Sequence, residues 1–327
     1  MIEEIMSNLY RLKVPLPNSP LRSVNSYIVH GGDRYLIIDT GFNLEECRNE
    51  VTAGLQDLSV DMNKTDIFLT HHHVDHVGLA DRLATDTSKV YLSEKETHHP
   101  QFHPDDLQRH WQKVLEVYVA NGFPEEDARI SWESHPAHKY GMKRERAFSP
   151  VRDMDTIDVG DFRFRCVFTP GHSPGHMCLY EPNKKILVAG DHILSDITPN
   201  ISYSLEMIDP LDDYLKSLVK VDALDVRVTL PGHRGLVRDL HTRIMELQRH
   251  HCDRLNEVLA ALRDGAKTAF QIAPSISWDI PVKQWEEFPP SQKWFAFSET
   301  LAHVTYLENR GKVRRHEQNG RVLYSIS

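Results

Sequence analysis

Thr70-His71-His72-His73-Val74-Asp75-His76-Val77-Gly78 gathers four imidazoles and a carboxylate directly after the apolar run Ile67-Phe68-Leu69. Neutral imidazole and carboxylate are donors that borderline and hard divalent cations accept. In extended backbone the side chains at i and i+2 share a face, so His71 and His73 point one way and His72 the other. Asp75 and His76 then face the same cavity as the chain enters a helix, and Gly78 permits a close approach. Four ligands within six residues predict two adjacent cations rather than one. His72 is left out of the set.

Three later segments fit the same geometry. Thr169-Pro170-Gly171-His172 ends an apolar strand, Ala189-Gly190-Asp191 follows Ile186-Leu187-Val188, and Leu230-Pro231-Gly232-His233 repeats the first arrangement. Each puts a donor where rigid scaffold meets a loop. Around them the apolar pattern predicts strands at 25–30, 34–39, 66–70, 89–93, 156–169, 177–181, 185–189 and 226–230. Helices are predicted at 44–58, 78–85, 211–221 and 236–263. Strands alternating with helices make this an α/β fold with sheet at its centre.

Between 94 and 150 the pattern changes. An amphipathic helix over 105–121 is ringed by His98, His99, His103, His110, His135 and His138 and punctuated by prolines. It reads as an insertion laid across the sheet layer, a place for a lid or a substrate-selecting element or simply for a helical cap. Past residue 240 the net charge changes from −11 (residues 1–240) to +2 (residues 241–327). Helical patterns at 268–276 and 292–309 precede strands at 313–317 and 321–326, which Asn319-Gly320 joins as a hairpin. Helix, helix and terminal ribbon outline a small winged-helix-like domain over 241–327, beside a catalytic domain over 1–240.

The whole chain has 327 residues, 40% hydrophobic and 26% charged, with a net charge of −9. That composition excludes a disordered or collagenous chain, and the charge disfavours general attraction to nucleic acid or anionic lipid. No apolar stretch approaches the roughly 20 residues of a membrane span, and no leader is visible. Cys47, Cys166, Cys178 and Cys252 lack CxxC spacing and fit reduced thiols. A cytoplasmic protein is the expectation.

The ordered set His-x-His-x-Asp-His, Gly-His, Gly-Asp and Pro-Gly-His resembles the metallo-β-lactamase-fold hydrolase superfamily, with a glyoxalase II-like motif set, over about residues 1–240. The tail resembles the winged-helix domain of one branch of β-lactamase-like proteins. The resemblance implies a four-layer αββα sandwich. It assigns His71, His73 and His172 to one metal and Asp75, His76 and His233 to the other, with Asp191 bridging. Asp39, in Ile37-Ile38-Asp39-Thr40-Gly41, matches an Asp-Thr-Gly segment near the family's site, where it is expected to fix the tautomer of a ligand histidine. A turn or capping carboxylate is the plainer reading. His73 stands where flavodiiron relatives carry a carboxylate, and Asp191 where cysteine-using β-lactamases carry a thiolate, so neither chemistry is expected.

Two cations, zinc first and with iron or manganese also accepted by these donors, would supply a metal-bound hydroxide near neutral pH. Asp75 is the candidate proton acceptor after attack. His176 and His192 are candidate proton donors, and Tyr203 a candidate donor to a substrate oxyanion; each also has a structural reading as a loop-holding or core residue. The leading function is hydrolysis of a small ester, thioester or lactone. The alternative is a nucleic-acid phosphodiesterase that uses Arg310, Lys312, Arg314, Arg315 and Arg321 of the ribbon, with Trp278, Trp285, Trp294, Phe295 and Phe297 to stack bases. A third reading, a winged-helix regulator with a ligand-sensing metal domain, leaves the full ligand set without a purpose. Oligomeric state is not legible.

Overall fold

The computed structural model describes residues 2–144, 146–279 and 284–327; the side chain of His138, one of the insertion's histidines, lies outside the described set. Fourteen strands are described: β1 (Ile2–Met6), β2 (Leu9–Pro15), β3 (Ser23–His30), β4 (Tyr35–Ile38), β5 (Thr65–Phe68), β6 (Val90–Ser93), β7 (Ser149–Val151), β8 (Thr156–Val159), β9 (Phe162–Phe168), β10 (Met177–Glu181), β11 (Ile186–Gly190), β12 (Val228–Pro231), β13 (Val313–Gln318) and β14 (Arg321–Ile326). The α-helices are α1 (Glu45–Asp57), α2 (Val74–Val77), α3 (Ala80–Leu83), α4 (Pro104–Ala120), α5 (Glu125–Ser134), α6 (Pro136–Tyr140), α7 (Pro210–Asp222), α8 (Leu240–Ala261), α9 (Ala269–Ile272) and α10 (Pro290–Asn309).

β1 to β7 form one seven-stranded sheet in sequence order, and β12-β11-β10-β9-β8 form a second. Period-two alternation explains how the sheets stack. In β3 and β4, Tyr27, Val29, Leu36 and Ile38 turn inward to meet Phe164, Leu179, Ile186 and Val188 of the second sheet. The intervening Ile28 and Ile37 turn outward beneath Cys47, Val51 and Leu55, which recur every four residues on α1. On the far side Cys178, Leu187 and Ala189 lie under Leu211, Tyr214 and Leu218 of α7 and Ile244 and Leu247 of α8. Helix, sheet, sheet and helix follow from strands that are apolar on both faces. Each fully buried aliphatic side chain contributes about 1.5–3 kcal/mol.

The structure departs from the sequence pattern in several places. The run at 156–169 is two strands, β8 and β9, because the chain reverses at Gly160 (φ +54°), whose missing side chain also lets Gly31 approach. The helix predicted over 78–85 is the single turn α3 (Ala80–Leu83), and a separate turn, α2 (Val74–Val77), precedes it. A Cβ at Gly78, between them, would lie 2.6 Å from the carbonyls of Gly41 and Tyr140. The hairpin β1–β2 escapes the pattern because Arg11 is buried among apolar neighbours; its charge is met by Glu3.

The tail contains the expected helices and hairpin, Asn319 and Gly320 both adopting positive φ at the turn. It shares a core with the insertion: Val114, Tyr118, Phe123 and Ala128 pack with Val258, Ile272, Trp294, Phe297, Leu301 and Tyr324. Tyr118 Oη donates to Ser298 Oγ at 2.6 Å, and Tyr324 Oη to Asn121 Oδ1 at 2.9 Å. Trp294 and Phe297 are therefore committed to packing. Trp278 lies under the Arg254 guanidinium (4.1 Å), and Arg310 pairs with Asp209 and Asp212. No helix of the described residues is long and apolar enough to cross a membrane.

Candidate metal centre

The functional side chains sit beyond the C-terminal ends of β4, β5, β9, β11 and β12, which face one edge of the sandwich. Asp39 follows β4, the 70–76 loop follows β5, His172 follows β9, and Asp191 and His233 follow β11 and β12. Local backbone lets these ends converge. A Cβ at Gly232 would stand 2.4 Å from Asp191 Oδ1 and 2.8 Å from His76 Cε1.

His73 Nδ1 lies 2.9 Å from His71 Nε2 and 3.0 Å from His172 Nε2. A second group joins Asp75, His76 and His233: His233 Nε2 is 3.3 Å from Asp75 Oδ2, and His76 Nε2 is 3.9 Å from the same oxygen. Asp191 touches both groups. Its Oδ2 lies 3.4 Å from His233 Nε2 and 3.7 Å from His172 Nε2, and its Oδ1 3.5 Å from His76 Nε2. His71, His76 and His233 are fully buried, while His73, Asp75 and His172 keep some exposure and mark the open side.

The far nitrogens of these rings are held by fixed partners. His172 Nδ1 donates to the Asn200 carbonyl (2.9 Å) and His233 Nδ1 to that of Ser23 (2.7 Å). A carbonyl can only accept, so both rings carry their proton on Nδ1 and can turn a bare Nε2 inward. His76 Nδ1 donates to Asp39 Oδ2 (2.8 Å). His71 Nδ1 meets Thr70 Oγ1 (3.0 Å), which itself donates to Asp39 Oδ2 (2.8 Å). One carboxylate oxygen thus governs two rings. Asp39 holds a left-handed φ of +61°, pinned by Ser26 Oγ on its carbonyl and by Thr70 N–H on Oδ1.

Protonation follows from the same surroundings. Burial, reinforced by neighbouring imidazoles, pushes His71 and His73 well below the usual histidine range, and burial lowers His172 against the pull of Asp191. Burial alone would raise Asp191 and Asp75, but His233 and His76 hold both below the usual carboxylate range. In return, and against burial, Asp191 and Asp75 lift His233 to about 10; Asp39 and Asp191 lift His76 well above its ordinary value. Neutral nitrogens and ionised carboxylates are what a divalent cation needs. Among the described residues, His76 Nε2, His233 Nε2 and Asp191 Oδ1 are buried without a hydrogen bond of good geometry. Buried ligand atoms turned toward one another fit a bound cation, which would take the place of the Nε2 protons on His76 and His233.

A family model of the metallo-beta-lactamase superfamily matches residues 19–233. The chain belongs to the metallo-beta-lactamase superfamily. Within it, the chain is 25% identical over 326 residues to a probable metallo-hydrolase, YqjP, of Bacillus subtilis (strain 168), covering 96% of each. It is 26% identical over 228 residues to a protein of Aspergillus fumigatus named atrochrysone carboxyl ACP thioesterase, covering 70% of this chain and 41% of that one. A metallo-beta-lactamase family protein from Thermus thermophilus superposes with a TM-score of 0.83 at 30% identity, over 99% of this chain and all of the other. This metallo-beta-lactamase superfamily member is a metallo-hydrolase, with His and Asp clusters suited to divalent metals.

The other expected residues stand apart from the ligand atoms. His72 turns toward Glu96 (3.3 Å) and stacks on His99 with ring centroids 3.7 Å apart. His176, offered as a proton donor, is fully buried and holds backbone instead: its Nε2 accepts from Asp191 N–H at 3.2 Å and its Nδ1 meets Thr169 Oγ1 at 2.8 Å. His192 is fully buried beside His176 and Tyr214, and burial lowers its pKa to about 3. Tyr203, read in the sequence either as an oxyanion donor or as a core residue, packs against the core shared by insertion and tail. It lines a cavity of about 540 Å³ with Asn121, Leu301, Arg315 and Tyr324, a lining without any of the metal-facing residues.

Sequence reasoning misses Glu96, although it follows strand β6 much as the ligands follow theirs. It accepts from Ser173 Oγ and from Gly175 N–H (3.0 Å), bracing the loop that carries His172. The carbonyls of Asn200 and Ser23 have no signal in side-chain chemistry, since any residue supplies one.

Proposed function

We propose that the chain is a dinuclear metallohydrolase of small carboxylic esters, thioesters or lactones, with zinc as its first metal and the cytoplasm as its place. The observation that carries this reading is Asp191, whose carboxylate faces His172 on one side and His76 and His233 on the other. His71, His73 and His172 would hold one cation and Asp75, His76 and His233 the second. Bound there, the pair supplies Lewis acidity that brings the pKa of water toward neutrality and steadies negative charge at the attacked carbonyl.

The protein's own groups do the rest. Asp39 and the carbonyls of Ser23 and Asn200 keep the ring protons on the outer nitrogens, so that the inner lone pairs stay available. Asp75, partly open to solvent and ionised, would take the proton of the attacking oxygen after attack and return it to the alkoxide or thiolate that leaves as the tetrahedral species collapses. The named thioesterase among the relatives supports the thioester class. The burial of Trp294 and Phe297, which leaves them no face for bases, favours a small substrate over a nucleic acid. The catalytic unit is residues 1–240, with the insertion and the winged-helix-like tail packed on each other beside it.

A hydrolysis screen of chromogenic ester, thioester, lactone and phosphodiester substrates with metal-reconstituted protein tests this. Turnover of an acyl substrate that disappears in His73→Ala is the expected result. Equal activity in both proteins, or phosphodiester cleavage alone, overturns it.

A further inference from the structure

The tail carries a buried charged cluster for which hydrolysis has no evident use. Glu299 sits in α10 amid Trp-Phe-Ala-Phe-Ser before it and Thr-Leu-Ala-His-Val after it, and is 5% exposed. His250, His251 and Glu299 come close enough together to resemble a ligand set. The cation is already present, however: Arg254 Nη1 lies 3.2 Å from Glu299 Oε1, its guanidinium fixed over Trp278 and against the Ser277 carbonyl. A divalent ion would have to share that oxygen with a guanidinium.

The other carboxylate oxygen points to the metal centre. Glu299 Oε2 accepts from Asn200 Nδ2 at 2.9 Å, and the carbonyl of that same Asn200 accepts the Nδ1 proton of His172 at 2.9 Å. Ser202 Oγ holds Asn200 Oδ1, so the amide cannot rotate without losing both bonds. We propose that Glu299 is a positioning residue for the metal centre: anchored by Arg254, it fixes Asn200, whose carbonyl sets the tautomer and angle of His172. The tail thereby has a task in hydrolysis without touching substrate. The inference rests on His172 being a metal ligand as proposed above.

Two readouts separate this from a merely structural role. In metal-free protein, nitrogen-15 NMR of histidine-labelled material reports whether the His172 Nδ1 proton is present and protected from exchange. In zinc titrations against a chromogenic chelator, loosening one ring weakens one of two equivalents and spares the other. Glu299→Ala and Asn200→Ala, the second keeping the backbone carbonyl and burying no new charge, should lose the protected proton and weaken one zinc equivalent by about tenfold. Glu299→Gln, which keeps an acceptor for Asn200, should restore most of both. The inference falls if the alanine variants melt earlier yet keep the His172 signal and both equivalents. If the unaltered protein takes up no zinc, the metal-centre reading fails by itself, and the NMR arm still decides whether Glu299 governs His172.

Discussion

Replacing Asp39 with asparagine should weaken metal binding and folding by comparable free energies, because the same hydrogen bonds serve both. Asp39 Oδ2 accepts from His76 Nδ1 and from Thr70 Oγ1, both at 2.8 Å, while Oδ1 accepts from Thr70 N–H at 2.8 Å. Asparagine keeps one oxygen for the Thr70 amide but sets an NH2 group against the other two partners. His76 must then accept on Nδ1, which moves its proton to Nε2, the atom that faces Asp191. Thr70 Oγ1 must accept as well, and its bond to His71 Nδ1 is disturbed in turn. The loss of hydrogen bonds to a charged acceptor costs about 1.5–3 kcal/mol of folding stability. A partner that orients a ligand typically accounts for about 10–100-fold in metal affinity. With two ligands affected, both zinc equivalents should weaken by at least the lower figure. Competition against a chromogenic chelator measures the affinity, and urea unfolding of the metal-free variants isolates the stability. Wild-type affinity for both equivalents in Asp39→Asn would refute the reasoning.

Three further outcomes follow from the geometry. Gly232→Ala places a methyl 2.4 Å from Asp191 Oδ1, 2.8 Å from His76 Cε1 and 3.2 Å from the Gly190 carbonyl carbon, so metal uptake should fall sharply and overpacking should cost about 1–3 kcal/mol of stability; calorimetric titration and urea unfolding check both. Zinc binding should release protons, because His233, lifted to about 10, holds one at neutral pH and must surrender it to become a ligand. Affinity should therefore rise with pH toward that value, and titration enthalpies should differ between buffers of different ionisation enthalpy. Phe297→Ala, in the core shared by insertion and tail, should cost about 3–5 kcal/mol by urea unfolding.

The sandwich is legible in the sequence where strands are apolar on both faces, as in Ile37-Ile38 and Ile186-Leu187-Val188, because burial between two layers leaves a continuous run. It is illegible where a charge is buried with its partner, as at Arg11, or where one glycine turns a run into a hairpin, as at Gly160. The donor set is legible because imidazole and carboxylate cluster at strand ends. What orients the donors is less so. The Ser23 and Asn200 carbonyls have no residue signature, and the role of Glu299 depends on a contact between residues 99 positions apart in the chain. His176 and Tyr203 carry two readings in the sequence, since nearness to a ligand segment leaves open whether a side chain faces the cavity or holds the wall; their contacts are those of the second.

Crystals of the zinc-loaded protein, measured on both sides of the zinc absorption edge, test the central claim most directly. Two anomalous peaks roughly 3.5–4 Å apart, flanking the Asp191 carboxylate, are the predicted result. A single peak, or two that do not share Asp191, would contradict it.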